Sequence, residues 1–304
     1  MYGNILSANA HARPLPPARL GAMITTDAPA ASVHAAGSAV KAAFDRDGCL
    51  IHPHPVLAAE QISRAARALY DIRDGRFETG RPPPDSNWKP GDDVRRLCKI
   101  EQPQRADRAV LEAISSPALG RLAAAATGAR EFVQAWWVQL LIKPPESAAQ
   151  NTQVGWHQDE SYWSGWEQGS ELFTAWLALD VVAEDSGPMV FVPGSQRWGL
   201  RPGGDFYGQD LEALQEKLTT GAGGGEGGGG GTAAWRELPV CLPPGGFSLH
   251  HRLLIHGSRT NRSSRDRLGL AIHLRTERSQ PKDGAWEARY LDDPTTCPKI
   301  WKAS

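Results

Sequence analysis

Residues 267–274 read Arg-Leu-Gly-Leu-Ala-Ile-His-Leu, and their alternation indicates the fold class of the C-terminal half. Large aliphatic side chains occupy every second position, which is the period of a β-strand that packs one face against a core. Arg267, Gly269 and Ala271 share the opposite face. A buried arginine beside two small residues indicates a socket for a carboxylate, because the guanidinium binds that group through two parallel hydrogen bonds. The alternative is a surface arginine at a strand start, and His273 on this face is expected to be a core histidine.

Strand patterns continue through the second half of the chain, whereas the first half has helical spacing. The segment 172–182 alternates in the same way, 132–142 is rich in aromatic and β-branched residues, and 189–192 is a short apolar run. Helices first and strands later predict an α+β fold in which helices pack against a β core. The segments with helical spacing are 38–44, 58–72, 107–114 and 119–126.

The sequence Trp156-His157-Gln158-Asp159 contains two metal-ligand side chains two residues apart. In an extended chain His157 and Asp159 point to the same side, so both can hold one ion while Gln158 points away. His256, which follows a run of three aliphatic residues, provides a third ligand. Two histidines and one carboxylate on one side of a metal are typical of non-haem Fe(II) oxygenases. An isolated H-x-D triplet is common, and its meaning depends on these companions.

His250 and His251 compete with His256 for the position of the third ligand. Arg262 follows His251 by eleven residues, the same spacing that separates Arg267 from His256. The surroundings favour His256, because it ends an apolar strand and precedes a Gly-Ser turn, whereas Arg262 lies in a polar loop composition. We therefore expect His256 to be the ligand and His250 or His251 to be an outer partner.

Five segments occur in an order that resembles the phytanoyl-CoA dioxygenase family. The resemblance runs from about Phe44 to about Leu274, and Arg267 follows the last of the five segments. Members of this family are Fe(II)- and 2-oxoglutarate-dependent oxygenases, so the resemblance implies a double-stranded β-helix (jelly-roll or cupin-like) core buttressed by the N-terminal helices. The segments are IKPPES (142–147), WHQD (156–159), FTAWLALD (173–180), FVPGSQRWG (191–199) and LLIHGSRTN (253–261).

The resemblance also implies a role for particular residues. His157, Asp159 and His256 would bind the iron, and these three are the catalytic centre. Arg267 and Ser258 would hold the distal carboxylate of 2-oxoglutarate.

Three further residues fall where family members line the co-substrate pocket, namely Lys99, Gln139 and Trp176. The implied cofactor is Fe(II), with 2-oxoglutarate and O2 as co-substrates. The implied reaction is hydroxylation of a small organic or acyl substrate with release of succinate and CO2. Hydroxylation is favoured over halogenation because halogenases of this type lack the carboxylate that Asp159 provides.

Two other classes of function remain open at this stage. One is a metal hydrolase that uses the same ligands with zinc, in which Arg267 and Ser258 would have no role. The other is a non-catalytic binding module that has kept the fold, although an intact ligand set with its arginine argues against it.

Composition narrows the class of partner. The chain has 304 residues, a formal net charge of −1 and 40% apolar residues, which is sufficient for one substantial core. The absence of a basic run argues against nucleic acid, and no stretch approaches the roughly 18–20 apolar residues that span a bilayer. We therefore expect a small-molecule substrate. The oligomeric state is not indicated.

Domain organisation and location follow from three sequence features. Residues 1–36 are rich in alanine and proline and are expected to be a disordered or organellar targeting tail, followed by one domain over 37–304. The glycine tract 221–231 is expected to be a flexible insertion. Scattered cysteines without a C-x-x-C pair indicate reduced thiols and a cytoplasmic location. They are Cys49, Cys98, Cys241 and Cys297.

Overall fold

A computed structural model describes residues 30–84, 86, 88–146, 152–220 and 234–304. The predicted glycine insertion and residues 1–29 of the predicted tail lie outside this part, while the first helix begins inside the predicted tail. The helices are α1 (Ala30–Asp47), α2 (Ala59–Arg73), α3 (Arg108–Ile114), α4 (Pro117–Thr127) and α5 (Leu211–Thr220). The strands are β1 (Cys49–His52), β2 (Cys98–Glu101), β3 (Phe132–Lys143), β4 (Val154–His157), β5 (Leu172–Ala178), β6 (Met189–Phe191), β7 (Leu238–Pro239), β8 (Phe247–His251), β9 (His256–Ser258), β10 (Arg267–Thr276) and β11 (Lys299–Lys302).

The strands form two antiparallel sheets. The larger has seven strands in the order β1-β8-β5-β10-β3-β11, with β2 also paired to β3. The smaller has four strands in the order β4-β9-β6-β7. Four helices, α1 to α4, precede β3 in the chain. Together with the sheets they form a mixed α and β fold, as the order of sequence patterns predicted.

Alternation along β5 and β10 decides which face of the large sheet meets the helices. Leu268, Leu270, Ile272 and Leu274 join the core that includes buried residues of α2, α3 and α4. On the other face, Trp176 of β5 and Ala271 of β10 pack with residues of the small sheet. The large sheet is therefore covered by helices on one side and by the small sheet on the other, which confirms the predicted alternation.

Helices α2, α3 and α4 each bury one face against the core. In α2, Ile62, Leu69 and Ile72 are buried at helical spacing. Asp107 caps α3 by accepting a hydrogen bond from the amide of Ala109, and Ser116 caps α4 in the same way. Among the described helices, none combines the length and the apolar character needed to cross a bilayer.

Two glycines inside helices provide a test of this packing. A Cβ built on Gly120 of α4 would lie 2.2 Å from the carbonyl oxygen of Ile300 in β11, whereas one on Gly37 of α1 meets nothing within 4 Å. We expect Gly120→Ala to lower the free energy of unfolding by about 1–3 kcal/mol through overpacking. Gly37→Ala should raise it by up to about 1 kcal/mol, because alanine favours helix. Denaturant unfolding measures both, and equal effects of the two substitutions would contradict the close contact of α4 with β11.

Candidate active site

Two imidazoles lie side by side because their residues are direct partners in a strand pair. His157 ends β4 and pairs with His256, the first residue of β9. Their ring centroids are 4.2 Å apart. The chain stays extended at Gln158 (φ −120, ψ 133) before Asp159 begins a single 3-10 turn. The predicted two-residue spacing therefore brings His157 and Asp159 to one side, although the strand itself ends two residues earlier than Asp159.

Three ligand atoms converge at this point. Asp159 Oδ1 lies 3.8 Å from His157 Nε2 and 3.5 Å from His256 Nε2. One ligand atom from each of the three residues lies within 4.8 Å of the others, and all three residues are buried. In the part of the chain that the structure describes, this trio is a group that could hold a metal ion.

Hydrogen bonds fix the tautomer of both imidazoles. His157 Nδ1 lies 2.8 Å from the carbonyl oxygen of Gly155, and His256 Nδ1 lies 2.9 Å from that of Leu254. A carbonyl oxygen can only accept, so each ring carries its proton on Nδ1 and leaves the Nε2 lone pair free. Burial lowers the pKa of His157 and, more strongly, that of His256, so both rings are neutral. Neutral imidazoles with a free Nε2 fit a metal ion.

Asp159 supplies the negative charge of the trio. Burial acts to raise the pKa of this carboxyl, but the neighbouring imidazole of His256 and the hydrogen bond from His250 outweigh it, so the pKa lies well below its usual range. The side chain is therefore an ionised carboxylate among neutral rings. One anionic oxygen and two imidazole nitrogens are a suitable donor set for a divalent first-row metal.

Gln158 explains how its two neighbours are held in place. Its side chain points away from them, and its Nε2 donates to the carbonyl oxygens of Leu253 (2.6 Å) and Gly199 (2.9 Å). Its Oε1 accepts from the amide of Arg201 at 2.7 Å. The residue between the two ligands thus ties β4 to the segment before His256, which limits movement of the ligands relative to one another.

Arg267 is a buried cation at the wall of the same cavity. The side chain is 2% exposed, its Nη1 donates to the carbonyl of Gly187, and its Nε has no hydrogen-bond partner among the described residues. Within the described residues it forms no ion pair with a carboxylate, and burial lowers its pKa to about 10. The guanidinium lies 5.1 Å from the ring of Trp176. A buried, still charged guanidinium with a free donor fits an anionic ligand.

Lys143 is a second buried basic side chain, and the sequence did not reveal it. It is the cross-strand partner of Arg267 and is fully buried. Its Nζ donates to Ser258 Oγ at 2.5 Å and to the carbonyl of Arg259 at 2.6 Å. Burial, and then the charge of Arg267, lowers its pKa well below the usual value. The sequence Lys143-Pro144-Pro145 indicates a strand end, and the pairing with Arg267 depends on a strand register that the sequence does not specify.

A cavity of about 500 Å³, counted to its open mouth, joins the ligand trio to Arg267. Gln139, Trp176 and Ser258 lie on its wall. Lys99 does not belong to the wall. Its Nζ lies 3.2 Å from Glu101 and 4.8 Å from the ring of Phe206, which does line the cavity.

Glycine shapes the floor of this cavity. A Cβ on Gly269 would lie 2.1 Å from the indole of Trp176. The absence of a side chain at this position of β10 lets the Trp176 ring lie across the strand, next to the Arg267 guanidinium. Gly269, one of the two small residues that the sequence placed beside Arg267, thus makes room for an aromatic wall.

The other histidines near the trio divide into three environments. His250 is an outer partner, with Nε2 3.1 Å from Asp159 Oδ2. His251 Nδ1 accepts a hydrogen bond from the backbone amide of Leu253. His273 lines the cavity and packs against Trp163 at 4.9 Å between ring centroids. Trp163 itself belongs to an aromatic core cluster rather than to the cavity wall.

Comparisons with known proteins agree with this geometry. The family model for phytanoyl-CoA dioxygenase (PhyH) matches residues 44–269. Peroxisomal phytanoyl-CoA dioxygenase of Bos taurus is 23% identical over 142 residues, and the match covers 47% of this chain but 39% of that protein. The matched part is therefore well under two thirds of the length of that relative.

Two crystal structures share the fold. The non-haem α-ketoglutarate-dependent epimerase SnoN from nogalamycin biosynthesis has a TM-score of 0.60 at 19% identity, covering 83% of this chain and 88% of its own. The carbocyclase SnoK from the same biosynthesis has a TM-score of 0.60 at 18% identity, covering 84% and 89%. With a family model that spans more than half of its length, this chain belongs to the phytanoyl-CoA dioxygenase (PhyH) family.

Proposed function

We propose that the protein is an Fe(II)- and 2-oxoglutarate-dependent dioxygenase that hydroxylates a small organic or acyl substrate and releases succinate and CO2. One observation carries the proposal. A cluster of two neutral histidines and one carboxylate shares a cavity with a buried arginine that has no acidic partner among the described residues. The first group suits a ferrous ion, and the second suits the carboxylate of an oxo acid.

The metal would be held by His157 Nε2, His256 Nε2 and the carboxylate of Asp159. When bound, ferrous iron supplies the redox chemistry that couples O2 to decarboxylation of the oxo acid and oxidation of the substrate. The chain itself presents both Nε2 lone pairs in the required direction, because each Nδ1 proton is committed to a backbone carbonyl. Burial of all three residues keeps bulk water away from the ligands.

The distal carboxylate of the co-substrate would be held by Arg267 and Ser258, which line the same cavity as the ligand trio. Lys143 Nζ donates to Ser258 Oγ, so that oxygen acts as an acceptor toward the lysine and its own proton is free to point to a ligand. A carboxylate in this place would receive hydrogen bonds from the guanidinium and the hydroxyl. It would also compensate the charge of the buried Arg267 guanidinium, which has no carboxylate partner among the described residues.

The wall around this end supports a compact ligand. Trp176 lies beside the guanidinium, and Gln139 lines the cavity nearer to β2. Lys99 would act at one remove, through its contact with Phe206. A metal hydrolase with the same ligands would have no use for the Arg267–Lys143 pair, so this pair favours the oxygenase.

The fold and the location complete the proposal. Two antiparallel sheets, one covered by helices, together with the likeness to the epimerase SnoN and the carbocyclase SnoK, support a double-stranded β-helix core. We propose that one domain extends over residues 37–304, while residues 1–29 and the glycine tract 221–231 lie outside the described part of the chain. A reducing compartment such as the cytoplasm is supported by four free cysteine thiols, three of them buried.

An anaerobic titration tests the proposed function. Addition of Fe(II) and then 2-oxoglutarate should produce the visible charge-transfer absorption that a ferrous ion and a 2-oxo acid give together. His256→Ala should abolish it, because it removes a ligand atom. His251→Ala is the matched control and should keep it, since His251 contacts a backbone amide and not the trio. Metal-dependent hydrolysis without this absorption would instead select the hydrolase.

Arg267→Ala should separate the two halves of the site. Each charge-assisted hydrogen bond to a carboxylate contributes about 1.5–3 kcal/mol, so we expect the Kd for 2-oxoglutarate to rise about 10- to 100-fold while the Kd for Fe(II) changes little. Arg265→Ala is the control, because this neighbouring arginine is 58% exposed and pairs with Asp180 at 3.5 Å. Equal weakening of iron and 2-oxoglutarate binding would contradict the assignment.

Lys143→Met tests the role of Lys143 in binding 2-oxoglutarate. The substitution keeps a long side chain but removes the ammonium that fixes the Ser258 hydroxyl, so we expect the Kd for 2-oxoglutarate to rise by about 10-fold. Lys299→Met removes an exposed lysine of β11 and should leave the Kd unchanged. If the Lys143 variant binds 2-oxoglutarate as tightly as the wild type does, Lys143 has no part in the site.

A further inference from the structure

Asp159 has one carboxylate oxygen that faces the histidine ligands and one that does not. Oδ1 is the atom nearest to both imidazole nitrogens, at 3.8 Å from His157 Nε2 and 3.5 Å from His256 Nε2. Oδ2 receives two hydrogen bonds instead, from Thr174 Oγ1 at 2.7 Å and from His250 Nε2 at 3.1 Å. Both partners are 1% exposed. The two oxygens of one carboxylate therefore have different environments.

The direction of each proton follows from the chemistry of the acceptor. An ionised carboxylate only accepts, so the Thr174 hydroxyl must donate to Oδ2 and His250 must carry a proton on Nε2. Thr174 Oγ1 then accepts from His273 Nδ1, 2.9 Å away. His250 Nδ1 has no hydrogen-bond partner in the structure, which agrees with the proton lying on Nε2. A chain of donors thus runs from His273 through Thr174 to Asp159.

Strand register brings these three side chains together. Thr174 of β5 is the cross-strand partner of His250 in β8 and of His273 in β10. The three residues form one row across the large sheet, whereas Asp159 follows β4 of the small sheet. The row reaches across the space between the sheets, and two of its members contact the same carboxylate oxygen.

We infer that Thr174 and His250 are positioning residues that hold Asp159 so that it binds the metal through Oδ1 alone. The inference rests on the proposed metal function and adds to it the means by which one oxygen is selected. With Oδ2 engaged by two donors, rotation of the carboxylate toward a two-oxygen mode would break both hydrogen bonds. Outer partners of this kind typically contribute 10- to 100-fold to metal affinity.

A purely structural reading assigns Thr174 to packing, since it is a β-branched residue in a buried strand. The two readings differ in what they expect of an isosteric change. Valine has nearly the same shape as threonine and lacks the hydroxyl. Serine keeps the hydroxyl and loses the methyl group.

The test compares Thr174→Val with Thr174→Ser by titrating the metal-free proteins with Co(II), a stand-in for iron that absorbs visible light. We expect Thr174→Val to weaken Co(II) binding about 10-fold or more and to shift its absorption, while Thr174→Ser stays within about twofold of the wild type in Kd. His250→Phe should weaken Co(II) binding in the same way. His250→Gln should recover part of the affinity, because glutamine keeps an N–H donor. Thermal unfolding of the metal-free variants controls for packing.

The outcomes separate this inference from the proposed function. Wild-type affinity and an unshifted spectrum in Thr174→Val would overturn the positioning role and leave the oxygenase assignment intact. Equal losses of Co(II) affinity in Thr174→Val and Thr174→Ser would also overturn the positioning role, because packing would then explain both. If the wild type binds Co(II) and the variants behave as expected, but Fe(II) with 2-oxoglutarate gives no charge-transfer absorption, the proposed function fails and the positioning role stands.

Discussion

The pairing of His157 with His256 in the β4–β9 ladder is the constraint on which the rest of the site depends. Cross-strand partners on one face of a sheet lie about 5 Å apart, which is close enough for two imidazoles to share an ion. Each ring donates its Nδ1 proton to the carbonyl two residues before it, that of Gly155 in one case and Leu254 in the other. The same local bond, repeated in two strands, turns both Nε2 atoms in the direction of Asp159.

The cavity has opposite electrostatic character at its two ends. One end has a carboxylate among neutral rings and suits a cation. The other has Arg267, backed by Lys143, with no acidic partner among the described residues and suits an anion. Burial makes each unpaired charge costly, so both ends gain free energy when a ligand of opposite charge arrives. This arrangement explains why the chain keeps charged residues inside a cavity that is otherwise largely apolar.

Much of the fold and part of the site could be predicted from the sequence, because both depend on short-range periodicity. The alternation along β10 gave the face that carries Arg267, and the two-residue spacing gave the shared side of His157 and Asp159. His256 was distinguishable from His251 by the apolar run before it. Helix α5 was not predicted. The flexible insertion predicted at 221–231 stays a prediction, since these residues lie outside the described part of the chain.

Contacts that depend on strand register were beyond reach of the sequence. Lys143 meets Arg267 because β3 and β10 pair in one particular alignment, and Thr174 meets His250 for the same reason in β5 and β8. A shift of one residue would turn each of these side chains to the other face of the sheet. Lys99 illustrates the converse, because the resemblance placed it at the co-substrate pocket, whereas in the structure its Nζ contacts the ring of Phe206, which lines the cavity.

We propose above all that one cavity binds both a ferrous ion and an oxo diacid. A crystal structure determined anaerobically with Fe(II) and 2-oxoglutarate is the most direct test of this proposal. We expect iron to be coordinated by His157 Nε2, His256 Nε2 and Asp159 Oδ1. We expect the distal carboxylate of 2-oxoglutarate to be hydrogen-bonded to Arg267 and Ser258. Iron bound elsewhere, or a carboxylate that leaves the Arg267 guanidinium without a partner, would contradict it.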